Sequence, residues 1–135
     1  MTPRSSTKPQ GCSNAKLRQL TRRVSQHYDQ EMAKSGLKTT QYSLLSQVLY
    51  RGPIRPGDLA KVMVLDASTL TRNLKPLLRD GLVALREEKD GRVRAIAITE
   101  KGETTARNAY PLWKKAQDSA KKVTATFDLQ LLAHR

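Results

Sequence analysis

Apolar positions recur along this chain with helical spacing over most of its length. Leu17, Leu20, Val24, Tyr28 and Met32 fall three and four residues apart, which predicts one stripe of a first helix. Ser13 or Asn14 would cap that helix, and Gly36 would end it. Tyr42, Leu45, Val48 and Leu49 form the inner face of a second helix, capped by Thr39 or Thr40 and stopped at Gly52-Pro53. Ile54 is expected to contribute a single bridge of strand. Pro56 then suits the first turn of a short helix, where its missing N–H is harmless, with Leu59, Ala60 and Met63 inward. Asp66 is a good N-cap for the next helix, in which Ala67, Leu70, Leu74, Leu77 and Leu78 make the buried stripe. Pro76 falls inside it and should kink or tighten it; Asp80-Gly81 ends it.

The period then changes from helical to alternating. Residues 82–86 and 94–98 read as two strands, with Val83, Leu85, Ile96 and Ile98 facing inward. The charged stretch between them carries an Asp90-Gly91 turn signal. Thr99 caps a long final helix in which Ala106, Ala109, Trp113, Ala116, Ala120, Val123 and Phe127 repeat at alternating threes and fours, a heptad seam. Pro111 lies within that pattern and should bend the helix. Three helices followed by two strands make a winged helix-turn-helix. The expected class is therefore mainly α with a small β-hairpin wing (α+β). The expected division is a mobile tail at 1–13, a first helical segment at 14–38, the winged helix-turn-helix domain at 39–98 and a second helical segment at 99–135.

Composition narrows the choice of partner. The 135 residues carry 25 basic and 12 acidic side chains, a formal net charge of +13. That balance favours a polyanion, nucleic acid before membrane. Cys12 is the only cysteine, so no internal disulfide can form, which fits a reducing compartment. No apolar run approaches the roughly 20 residues that span a bilayer, and no apolar signal region leads the chain, so a cytoplasmic location is expected. No HExxH, phosphate loop, GxSxG or Cys/His cluster occurs, and His27 and His134 are far apart. An enzyme is not expected, nor a metal or cofactor.

The segments Leu37-Lys38-Thr39-Thr40-Gln41-Tyr42-Ser43-Leu44-Leu45, Asp66-Ala67-Ser68-Thr69-Leu70-Thr71-Arg72-Asn73-Leu74, Asp80-Gly81-Leu82-Val83, Asp90-Gly91-Arg92 and Ile98-Thr99-Glu100-Lys101-Gly102 occur in a set order. In that order and spacing they resemble the multiple-antibiotic-resistance-regulator (MarR) family of bacterial transcription factors, over roughly residues 14–127. The resemblance implies a homodimer whose first and last helices intertwine and whose two winged domains bind a pseudo-palindromic operator. It also implies a repressor released by a small aromatic acid or phenolic effector. Two departures stand out. The family's wing usually reads Asp-Arg-Arg where this chain has Asp90-Gly91-Arg92, and the C-terminal region is shorter than usual.

On this reading Ser68, Thr69, Thr71, Arg72, Asn73 and Lys75 face the major groove. Arg can bind guanine, and Asn adenine, through two hydrogen bonds each. The alternative is an ordinary solvated helix face. Arg92 is assigned to the minor groove, oriented by Asp90 and partly supplemented by Arg94. Arg55 and Lys61 are assigned to phosphates. The seam of Leu17, Leu20, Val24, Ala109, Trp113, Ala116, Ala120, Val123 and Phe127 is assigned to the dimer in preference to packing within its own domain. Arg23, His27, Tyr28, Tyr42, Tyr110 and Trp113 lie on the segments where the family places an effector pocket; plain packing is the competing reading for each. Two further alternatives stay open: a redox switch at Cys12, a region where some relatives sense peroxide, and a basic nucleoid or RNA-binding protein of little sequence preference.

Overall fold

A computed structural model describes residues 11–87, 91, 94–125 and 127 of the chain. Helix α1 (Ser13–Met32) runs into a 3₁₀ turn (Ala33–Ser35). There follow α2 (Thr39–Arg51), α3 (Pro56–Met63), α4 (Ala67–Arg79), strands β1 (Val83–Glu87) and β2 (Arg94–Ile98), and the long α5 (Glu100–Thr124). The strands pair antiparallel from Val83↔Ile98 to Glu87↔Arg94, and Ile54 adds the expected isolated bridge to Ile96. The expectations for Asp90 and Arg92, for residues 1–10 and for the last eight residues lie outside the described residues.

Local chemistry accounts for most boundaries. Asp66 accepts the Thr69 N–H at 2.7 Å and so caps α4 as expected. Thr99 Oγ1 caps α5 by accepting from Gly102 N–H at 3.0 Å. Helix α4 ends in a Schellman motif, with Leu82 N–H bonded to the Leu77 carbonyl, Gly81 N–H to the Leu78 carbonyl, and Gly81 at φ +72°. Helix α3 ends in the same pattern, Leu65 N–H to Ala60 and Val64 N–H to Lys61, but the left-handed position is held by Val64 at φ +55°.

Two expected caps move. Neither Ser13 nor Asn14 caps α1; Cys12 holds the N-cap position without a side-chain bond. Thr39 and Thr40 do not cap α2. Its N-cap is Lys38, whose N–H is bonded by Gln41 Oε1 at 2.9 Å, while the Thr39 N–H is taken by Asp29 of α1 at 2.7 Å. A cap supplied from another helix leaves no local sequence signal. The prolines interrupt nothing: α4 continues past Pro76 to Arg79, and α5 past Pro111 to Thr124.

Met32, Leu44, Leu45, Val48, Leu59, Leu70, Leu77 and Ile96 are the largest fully buried side chains, at the junction of the end of α1 with α2, α3, α4 and the hairpin. Two inward assignments and one strand boundary are corrected. Ala67 is exposed because it opens the first turn of α4, outside the packed stripe. Leu85 is 41% exposed, since the strand beyond Val83 projects past the core. The first strand also starts one residue later than expected, because Leu82 belongs to the Schellman ending of α4 and to the cap of α5. Its carbonyl accepts from both the N–H and the hydroxyl of Thr99, each at 3.1 Å.

The heptad stripe of α5 divides. Ala106, Ala109, Ala116 and Ala120 are buried within the single chain, where α5 packs along α1 and, nearer its start, along α2. Trp113 stacks on Tyr42 of α2 at 5.9 Å between ring centroids. Ala109, Ala116, Ala120 and Trp113, assigned to the dimer seam, thus pack within the single chain against α1 and α2. Leu17 and Phe127 remain 51% and 38% exposed, and Leu20, Val24 and Val123 are half-buried beside them. No helix among the described residues is long and apolar enough to cross a membrane.

Candidate nucleic-acid interface

Helix α4 carries the site because its faces are sharply divided. At about 100° per residue, Leu70, Leu74 and Leu77 point into the core and Ser68, Thr71, Arg72, Lys75 and Arg79 point out. Arg79 belongs to this outward row although its position near the helix end hid it; a helical projection finds it. It pairs with Asp80 at 3.2 Å. Thr69 and Asn73 lie on the flank, half-buried. Asn73 thus faces sideways, toward α2.

The hydroxyls on α4 are already committed. Ser68 Oγ donates to Asp66 at 2.9 Å, and Thr71 Oγ1 donates back to the Ala67 carbonyl at 2.9 Å. Each keeps acceptor capacity but has given away its only proton. The donors left on the outer face are therefore the cations Arg72, Lys75 and Arg79. The Asp66 carboxyl is held below its usual range, first by the Thr69 N–H and then by the side-chain bonds of Thr69 and Ser68, with Arg72 adding a smaller attraction. Asp66 thus stays charged and tied to the helix start.

Around α4, Arg55 occupies the N-cap of α3 and Lys61 its last turn, both on the surface. Arg94 is exposed at the last strand pair before the hairpin loop, opposite Glu87. A polar concavity of about 230 Å³ separates α4 from the start of α2, lined by Lys38, Thr40, Gln41, Arg72, Asn73 and Pro76. No local pattern in the sequence brings the start of α2 here.

The six effector candidates do not share one cavity. Arg23 and His27 line a space of about 270 Å³ between α1 and α5, with Leu20, Val24, Ser119, Ala120 and Val123; His27 Nε2 is hydrogen-bonded to Ser119 Oγ. Tyr42 and Tyr110 line a separate one of about 400 Å³ between α2 and α5, with Ser46, Leu49, Ala106 and Arg107. Tyr28 donates its hydroxyl to Gln117, and burial raises its pKa. The Tyr42 phenol is likewise raised, by burial first and by Tyr110 second. Trp113 is packed between Tyr42 and Tyr110. Cys12 is exposed at the head of α1. The described residues hold no cluster of His, Cys, Asp or Glu fit for a metal ion.

Helix-turn-helix, two-stranded hairpin and long flanking helices define a winged helix-turn-helix protein. Residues 35–93 match the MarR family. The chain is 34% identical to the Mycobacterium tuberculosis transcriptional regulator MosR solved in complex with DNA, covering 86% of this chain and 83% of that one with a TM-score of 0.73. It is 33% identical over 93 residues to the HTH-type transcriptional regulator BilQ of Clostridium symbiosum, a match to 65% of this chain and 62% of that protein. The chain thus spans less than two thirds of BilQ. A mutant of Escherichia coli MarR, solved with operator DNA, shares the fold at 19% identity and a TM-score of 0.72 over 90% of this chain and 86% of that one. The chain belongs to the MarR family.

Proposed function

We propose that this chain is a sequence-specific DNA-binding transcriptional regulator that acts as a homodimer, represses its target and is released by a small aromatic or phenolic effector. The observation that carries the DNA reading is the outer face of α4, where Arg72, Lys75 and Arg79, the last also paired with Asp80, stand beside hydroxyls whose protons are already committed. The complex of MosR with DNA supports it. Arg72 is the base-reading residue, and Arg55, Lys61 and Arg94 flank it on the backbone.

The homodimer is supported by the apolar groove at the outer ends of α1 and α5, where Leu17, Leu20, Val24, Val123 and Phe127 line an open space of about 150 Å³. An apolar face left in water is a binding face. The effector reading is supported best by the α2–α5 cavity. Two phenols, the Ser46 hydroxyl and the Arg107 guanidinium surround an apolar floor of Leu49 and Ala106, a set suited to an aromatic carboxylate. Arg107 is shared with Glu103, so an acid would have to displace that pair.

The test is a titration of the full chain against DNA from upstream of its own gene and against scrambled DNA of equal length, at near-physiological salt. A preference of about 10³-fold or more is expected. Equal affinity for both would overturn sequence-specific regulation in favour of a non-specific basic binder. Arg72→Ala should cost roughly 1–3 kcal/mol and relax the preference at one base pair. A uniform loss on every sequence would make Arg72 a backbone contact.

A further inference from the structure

We infer that the concavity between the start of α2 and the flank of α4 is a DNA-backbone clamp, in which Lys38 holds a phosphate of the strand bordering the groove that α4 enters, while Arg72 at its rim reaches on to the base edges. The inference rests on the DNA-binding reading above and extends the interface to α2, a helix whose inner face packs in the core.

Every lining residue except Pro76 carries a polar or cationic group, and two of them are cations. At about 230 Å³ it is smaller than the roughly 300–1,000 Å³ of organic-ligand pockets. An oxyanion suits it better. Two cations face it from different helices, and among the described residues neither Lys38 nor Arg72 forms an ion pair. The nearby acid, Asp29, is engaged by the Thr39 N–H at 2.7 Å. Lys38 is exposed, and its backbone N–H, not its ammonium, bonds Gln41. Its side chain is therefore not needed for the α2 cap.

Geometry selects the DNA backbone as the source of the oxyanion. A helix with its side chains is about 10–12 Å across. The major groove is about 12 Å wide. A helix that enters it must bring its flanks against the phosphate walls. The flank of α4 that carries Asn73 and Pro76 is the one turned to α2, so the start of α2 comes to that wall.

The test is the salt dependence of DNA binding for the wild type and Lys38→Gln, on operator and scrambled duplexes. Unchanged thermal unfolding of the variant checks that the fold is kept. Lys38→Gln should reduce the magnitude of the log–log salt slope by about 0.9 and weaken both duplexes by the same factor. An unchanged slope in a variant that still prefers the operator would overturn the clamp and leave the regulator reading intact. A loss confined to the operator would also overturn it, since Lys38 would then be reading a base. Inorganic phosphate, compared with chloride at matched ionic strength, separates the other source. If phosphate stabilises the wild type but not Lys38→Gln, and the DNA slope is the same for both, the site takes a free anion and the clamp is wrong. Absence of DNA binding by the wild type would remove the regulator reading itself.

Discussion

Val64 holds the turn between α3 and α4 in a conformation that its side chain disfavours. A branched Cβ at φ +55° crowds the backbone, and the residue is 89% exposed, so packing returns nothing for that strain. Val64→Gly should therefore stabilise the fold by roughly 0.5–1 kcal/mol, the relief of strain exceeding the added freedom of the unfolded chain. Urea unfolding would measure it, and a lower midpoint would show that Val64 makes a contact worth more than the strain. Gly102 is the opposite case. A Cβ there would lie 1.9 Å from the Leu82 carbonyl oxygen, a backbone atom that cannot swing away. Gly102→Ala should cost about 1–3 kcal/mol or more, measurable in the same experiment. Neither position could be ranked from sequence. Gly102 was visible only as part of a family motif, and nothing marks Val64 as left-handed until the two helices are placed.

Among the elements, α4 depends most on a single charge. The folded-state pKa of Asp66 is depressed, so its contribution is full above the ordinary value of 3.8 and fades as pH falls through the lower folded value. Asp66→Ala should lower the unfolding midpoint near neutral pH, and the gap to wild type should close as the solution is acidified below about pH 4. A pH-independent gap would mean that Asp66 acts through something other than its charge. This cap, the Asp80-Gly81 ending and the bridge at Ile54 were legible because each is a local rule read within a few residues. The cap of α2 was not, because Asp29 sits ten positions upstream on another helix. Asn73 was assigned to base reading by residue type, and only the placement of α2 against α4 turns it to the flank.

For the whole molecule, the periodicity of α5 predicts a buried face, and within the chain α1 and α2 cover its alanine part. A three-four repeat states that a face is buried, not by which chain. Alanines are the clue, since small side chains let α1 approach closely. Substitutions should separate the two roles. Leu20→Asp and Phe127→Asp, at the open groove, should give folded monomers by light scattering with helical content retained. Ala116→Asp, at a fully buried position, should instead lower thermal stability whatever the oligomeric state. Folded dimers in both groove variants would move the interface elsewhere. The first turn of α5 is knotted to the wing through Thr99, Leu82 and Gly102, and its last turn borders that same groove. A helix of 25 residues is about 37 Å long, so as a rigid rod pinned at the wing it turns by about 1.5° for each ångström its far end is pushed sideways. A sideways push at the far end of α5 would thus reach the wing as a rotation, with a lever ratio set by the length of the helix.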